Sequence, residues 1–372
     1  MRYYLIAGEA SGDLHAARLI VELKKLDPEA TFRGWGGDLM KEAGMDLVKH
    51  YRDLAFMGFS EVIVHLPTIF RNIRLAKEEL SNFRPDVLIL VDYPGFNLRI
   101  SKFARNNNIR VFYYISPQIW AWKQGRVQQI KQNVDRMYVI LPFEKEFYAR
   151  FGVEVDFPGH PLPESIAVYQ PSAETDFRTT NNLDSRPIVA ILPGSRKQEI
   201  KKVLPLMLRM RQHFPDYQFV IAAAPGLADS FLNEQAGKAS VPIIRNQTYS
   251  LLSYSRAAIV TSGTASLETA LFGIPEVICY KGGWISYYIA RLLIKVKYIG
   301  LANLILNRPV IKELIQGDFN ELNLRSELNL LLNDEANRER IESDYKELRA
   351  KLGESGVMKK TAQLMFNRLT VK

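Results

Sequence analysis

Asp92 stands directly after the apolar run VLILV, in VDYPGFN. A carboxylate at the C-terminal end of a buried strand can take a proton from a substrate hydroxyl. It can equally form a turn ahead of Pro94 and Gly95, and the local residues leave both readings open. Residues 192–200, LPGSRKQEI, have the character of a phosphate-binding turn. Gly194 permits close approach, while Ser195, Arg196 and the amides opening the next helix offer donors to an anion. Residues 261–275, TSGTASLETALFGIP, carry the most informative local pattern. Ser262, Gly263 and Thr264 open a helix after a buried strand, and Glu268 lies roughly one turn inside it. Amides and hydroxyls there suit a diphosphate, and the carboxylate suits the two hydroxyls of a ribose. An ordinary capped helix start shares part of this pattern.

Two further turns carry polar groups. AGEASGD (7–13) follows the first apolar run and precedes a helical stretch, but its two glycines are not the three-glycine dinucleotide fingerprint. It offers Glu9, Ser11 and Asp13 instead. YISPQIWAWKQGR (114–126) follows another strand: Ser116 can cap a helix, Gln118 can bond a substrate, and Trp120 and Trp122 can stack on a sugar. Tryptophans at i and i+2 cannot share one helix face, so at least one of the pair is packing.

The elements that must position these groups alternate along the chain. YYLIA, TFRGW, VLILV, VFYYI and MYVIL recur in the first half, and PIVAILP, FVIAAA, AAIVTS and PEVICY in the second. Continuous apolar strands between amphipathic helices predict parallel sheets covered on both faces. The expected fold class is α/β, with two Rossmann-like, doubly wound lobes and a cleft between them. Residues 166–185, rich in Pro, Ser, Thr and Asn, read as a linker. The first lobe is expected over 1–165 and the second over 186–339, with a terminal helix within 340–372 packing back on the first.

Composition narrows the function. The chain has 372 residues, 47% hydrophobic, with one cysteine, Cys279, in an apolar run that reads as core. Five histidines lack ligand spacing and no D-x-D pair occurs, so no metal and no cofactor are expected. The N-terminal apolar run is too short for a signal peptide, and no stretch approaches the roughly 18 apolar residues of a spanning helix. A net charge of +9 admits nucleic acid, anionic lipid or a phosphorylated substrate as partner. No nucleic-acid module signature is present and the basic residues are dispersed, which disfavours the first.

AGEASGD, VDYPGFN, SPQIWAWKQGR, LPFEKEFY, PGHP, LPGSR and SGTASLE stand in one order along the chain. As a set they resemble the lipid A disaccharide synthases, bacterial glycosyltransferases of the two-lobed GT-B type, from about residue 3 to residue 315. The resemblance implies inverting transfer of 2,3-diacylglucosamine from its UDP conjugate to 2,3-diacylglucosamine 1-phosphate. The product is the β-1,6-linked disaccharide 1-phosphate, made without a metal. It implies that Ser195, Arg196 and the Ser262–Glu268 stretch bind UDP and that Asp92 is the base. Asn303, in GLANLIL, matches an asparagine the family needs near the donor, with Ala302 where the family usually has proline. Glu9, Ser11, Asp13, Ser116, Gln118 and Trp122 are expected on the acceptor side, the carboxylates near hydroxyls rather than phosphate. Family members associate through C-terminal helices, which makes a homodimer one expectation. The alternatives are another UDP-sugar enzyme of this architecture, a peptidoglycan-type transferase or an epimerase, and a non-catalytic nucleotide-sugar-binding protein.

Acylated substrates imply a cytoplasmic enzyme lying on the inner membrane. Two segments have suitable residues. One, 56–74, ends with Phe70, Arg71 and Arg74; the other, 283–298, carries Trp284, Tyr288, Arg291 and Lys295. Aromatics beside cations suit an anionic interface, and covering a sheet face is the competing reading for each segment.

Overall fold

The computed structural model describes residues 1–54, 66–122, 124–237, 241–283, 296–353 and 355–370. The chain forms two compact units, Met1–Glu164 with Leu352–Lys372, and Ser165–Lys351.

The first unit is built on seven strands: β1 (Arg2–Ala7), β2 (Thr31–Gly36), β3 (Asp46–His50), β4 (Val87–Val91), β5 (Arg110–Tyr114), β6 (Arg136–Tyr138) and β7 (Val155–Asp156). Their order is β3-β2-β1-β4-β5-β6-β7, and every pairing is parallel. All five residues of β4 are buried, as helices on both faces require. The helix Ala10–Leu26 buries Ala16, Leu19, Ile20 and Leu23. Those side chains join one core with Val87, Ile89 and Val91 of β4 and with Met358, Ala362 and Met365 of the last helix, Val357–Thr370.

The second unit repeats the plan with β8 (Ile188–Leu192), β9 (Gln218–Ala223), β10 (Ile243–Arg245), β11 (Ser255–Thr261), β12 (Glu276–Tyr280) and β13 (Lys312–Ile315). Their order, β10-β9-β8-β11-β12-β13, is again parallel throughout. Both sheets are doubly wound, and each reverses strand order once: between β1 and β4 in the first, between β8 and β11 in the second. In open α/β sheets ligands bind outside the carboxyl ends of strands at such a reversal.

Two stretches differ from the sequence expectation. Residues 166–185 include the helix Glu174–Thr180, whose Phe177 is buried in the second unit's core beside Ile188 and Ile244. The polar composition had hidden that anchor. The C-terminal region also divides. The helix Glu335–Leu352 serves the second unit, where the Tyr345 hydroxyl donates to the Ile274 carbonyl (3.3 Å), and only Val357–Thr370 packs on the first. Cys279 is buried in β12, as expected of a core cysteine. At the start of the same strand Glu276 is 1% exposed, and neither carboxyl oxygen meets a hydrogen-bond partner among the described residues.

Candidate active site

At the first reversal, Ala7 and Val91 are in register on neighbouring strands, so Gly8 and Asp92 leave the sheet side by side. Asp92 and Tyr93 both adopt left-handed backbone, φ 44° and 48°, uncommon for residues with a Cβ and characteristic of functional turns. The turn is locked from below. Asn97, fully buried, donates from Nδ2 to the Val91 carbonyl (3.2 Å) and the Asp92 carbonyl (2.7 Å). The Tyr113 hydroxyl donates to the same Asp92 carbonyl, and the Asp92 N–H donates to the Tyr114 carbonyl. Burial raises the Asp92 carboxyl to about 6, the Glu9 carboxylate adds to the rise, and a hydrogen bond from the Tyr93 N–H opposes it. A carboxylate poised near 6 is charged at neutral pH yet basic enough to accept a proton.

Glu9 and Ser11 are exposed at the start of the helix Ala10–Leu26, on the same turn. Asp13 behaves otherwise. It is 3% exposed, and its carboxylate accepts the N–H groups of Gly37 (2.7 Å), Leu39 (3.2 Å) and Met40 (3.1 Å). It caps the short helix Asp38–Glu42, so the expectation that it meets the acceptor is corrected: all of its visible bonding is structural.

The loop after β5 also opens with a left-handed residue, Ile115 (φ 62°). Ser116 is buried, its hydroxyl 2.8 Å from that of Tyr148, and Trp120 donates to Glu144 (3.1 Å). Gln118 is exposed and Trp122 is 47% exposed. The tryptophan pair therefore divides as its spacing requires, with Trp120 in the core. Glu144, unassigned from sequence, anchors this loop from beneath. It also accepts the Leu141 N–H (2.9 Å), and burial raises its carboxyl to about 7. Its place three residues after the helix N-cap is the signal that identifies such a glutamate.

At the second reversal, Leu192 and Val260 are in register, and two turns leave β8 and β11 together. Gly194 (φ 90°) turns into the helix Lys197–Arg209, where a Cβ would stand 3.6 Å from Thr261. Gly263 (φ 151°) turns into Thr264–Leu271. The N-termini of two helices thus open at one sheet end, a field that favours an anion. Ser195, Arg196 and Thr264 are exposed there; Arg196 pairs with Glu199 at 3.0 Å, a surface contact worth about 1 kcal/mol or less. Glu268 accepts the Tyr249 hydroxyl at 3.0 Å; burial raises its pKa, and that bond opposes the rise.

Two expectations change here. The Ser262 hydroxyl has one proton, and it is directed at the Ile299 carbonyl (2.9 Å), so toward an anion Ser262 offers its backbone N–H. Asn303 is 1% exposed, and its amide is fully engaged with Val310, Ile311 and Glu313. It has nothing left to offer a nucleotide in this arrangement.

On the helix Leu66–Phe83, Asn72, Ala76 and Leu80 are buried, whereas Phe70, Arg71 and Arg74 lie on the opposite, exposed side, Arg74 paired with Glu78 at 2.8 Å. Trp284, Tyr288, Arg291 and Lys295 fall outside the described residues. Among the described residues, no three His, Cys, Asp or Glu side chains are grouped as metal ligands, and no helix is long and apolar enough to cross a membrane.

Two doubly wound sheets, each with polar turns at its strand-order reversal, make up the GT-B fold, and solved structures share it. The UDP-GlcNAc 2-epimerase of Neisseria meningitidis, solved bound to UDP-GlcNAc, matches with TM-score 0.70 at 12% identity, over 99% of this chain and 100% of that one. A calicheamicin glycosyltransferase matches with TM-score 0.60 at 16% identity, over 99% and 98%. Sequence resolves the family within that fold. The profile described as lipid-A-disaccharide synthetase matches residues 3–367. The lipid-A-disaccharide synthase of Syntrophus aciditrophicus is 41% identical over 96% of this chain and 95% of its own length. That of Geobacter sulfurreducens is 38% identical over 99% and 97%. The chain belongs to the lipid-A-disaccharide synthase family, and it is a glycosyltransferase.

Proposed function

We propose that the chain transfers 2,3-diacylglucosamine from UDP to the 6-hydroxyl of 2,3-diacylglucosamine 1-phosphate, with inversion, releasing UDP. Family membership supports the reaction, and the observation that carries the residue assignment is the placement of the two polar turns, one at each reversal. Asp92 takes the proton of the acceptor hydroxyl as its oxygen attacks the anomeric carbon. The sugar–phosphate bond breaks, and its electrons leave with UDP. Arg196, the Ser195 and Thr264 hydroxyls and the amides opening Lys197–Arg209 and Thr264–Leu271 take up the diphosphate charge. The Glu268 carboxylate, steadied by Tyr249, accepts the ribose hydroxyls. Solved neighbours of this fold in complex with UDP or UDP-GlcNAc support a nucleotide-sugar donor.

Glu9, Ser11, Gln118 and Trp122 would meet the acceptor. Its acyl chains stay in the bilayer, and the enzyme works on the cytoplasmic face of the inner membrane, touching it through the Phe70, Arg71 and Arg74 face and the 283–298 segment.

The test is UDP release from UDP-2,3-diacylglucosamine in detergent micelles with EDTA, with and without the acceptor. Release that requires the acceptor and survives EDTA supports this reading. Turnover of UDP-GlcNAc without any acceptor would instead indicate an epimerase.

A further inference from the structure

The strand β13 holds residues 299–303 through one carboxylate. Glu313 accepts the Ile299 N–H at Oε2 (3.0 Å), and at Oε1 it accepts both the Gly300 N–H (2.9 Å) and Asn303 Nδ2 (2.8 Å). Asn303 gives its other amide proton to the Ile311 carbonyl (2.8 Å), while its Oδ1 accepts the N–H groups of Val310 and Ile311, both at 2.8 Å. Two donors and two lone pairs are all that an asparagine amide has. Gly300 lets the segment lie this close, because a Cβ there would stand 2.4 Å from Ile278 Cδ1 and 3.1 Å from Glu313 Oε1. At the far end of the clasp, the Ile299 carbonyl receives the Ser262 hydroxyl. An unbroken series of hydrogen bonds thus runs from β13 through residues 299–303 to the turn after β11.

We infer that Glu313 is a positioning residue for the donor diphosphate: it fixes residues 299–303, and through Ile299 it fixes the Ser262–Gly263 turn whose amides face the anion. Asn303 acts in the same clasp and not as a ligand to UDP. The inference rests on the reading of that turn as the diphosphate site.

The experiment is calorimetric titration of the full-length protein with UDP, with the melting temperature and the acceptor KM measured in parallel. Glu313→Ala is expected to weaken UDP by about tenfold or more, the scale on which a displaced binding group is felt, and to leave the acceptor KM unchanged. Glu313→Gln keeps one oxygen for Gly300 and Asn303 but turns an amide toward the Ile299 N–H, and is expected to fall between. Ser262→Ala should weaken UDP as well. The double variant Glu313→Ala/Ser262→Ala should lose less than the sum of the two, because both act through Ile299. Unchanged UDP affinity in a folded Glu313→Ala protein, or additive losses, would overturn the inference. If Glu313→Ala does not fold, unchanged affinity in Glu313→Gln does so. Failure of the parent protein to bind UDP would be a different result, removing the diphosphate reading itself and this inference with it.

Discussion

The ring of Tyr93 occupies the space above Gly8, so that a Cβ at position 8 would sit 2.4 Å from the ring's Cγ. The first glycine of AGEASGD is therefore a seat for the residue beside Asp92, not part of a phosphate cradle. Gly8→Ala should push Tyr93 aside and re-aim the strained Asp92 turn. We expect destabilisation of about 1–3 kcal/mol by denaturant titration, as for overpacking, and a larger fall in kcat than stability alone would give. A fully active Gly8→Ala enzyme would show that the turn tolerates movement.

Asp92→Asn should reduce kcat by about 10²–10⁴-fold, the worth of a general base, with UDP affinity retained. In the parent enzyme kcat/KM should fall as pH drops through about 6, because the base must be unprotonated to act and burial with Glu9 nearby raises it to about 6. Glu9→Gln removes the like charge, so the acid limb should move to lower pH. A limb that stays in place would mean that Glu9 does not act on Asp92.

Asp13→Ala should cost on the order of 2 kcal/mol, since three N–H groups at the start of Asp38–Glu42 lose their acceptor. Acceptor KM per folded molecule should hold steady. A specific rise in acceptor KM with unchanged stability would restore Asp13 to the substrate.

The Glu276 carboxyl is enclosed with no hydrogen-bond partner among the described residues, and burial raises it well above 4.5. The folded protein holds this proton to higher pH than the unfolded chain does. Its stability should therefore decline as pH rises from about 4.5 toward the raised value. Glu276→Met, close in volume and without a polar group, should be more stable by about 1–3 kcal/mol near pH 8, and the gap should shrink at pH 5. Equal melting temperatures at both pH values would indicate that the carboxyl finds compensation.

What could be read from the sequence follows from what is local. VLILV, PIVAILP and AAIVTS are legible because a strand buried on both faces must be apolar throughout. The polar residues just after them are legible because ligand turns follow strands. The edge strands Asp46–His50 and Lys312–Ile315 escaped, since at least half of each is charged or polar and neither alternates cleanly. Phe177 is one apolar side chain in a polar stretch. The roles of Asp13, Asn303 and Glu313 depend on partners brought close by the fold: Asp13 reaches an N–H 24 residues away. A carboxylate that caps and one that touches substrate look alike until those partners are in place.

The return of Val357–Thr370 to the core of the first unit sets an order of events during synthesis. Met358, Ala362 and Met365 pack against residues made before any of the second unit, such as Tyr3 and Ala16. The second unit, Ser165–Lys351, is continuous and has all its residues before those side chains emerge from the ribosome. Of the two units the one begun first is thus finished last, and until then Ala16, Leu19 and Leu23 lack their final cover. Nascent chains held with residues up to Leu352 outside the ribosome and Val357–Thr370 still inside it should expose that apolar surface and depend on chaperones, although the second unit has all its residues free to fold.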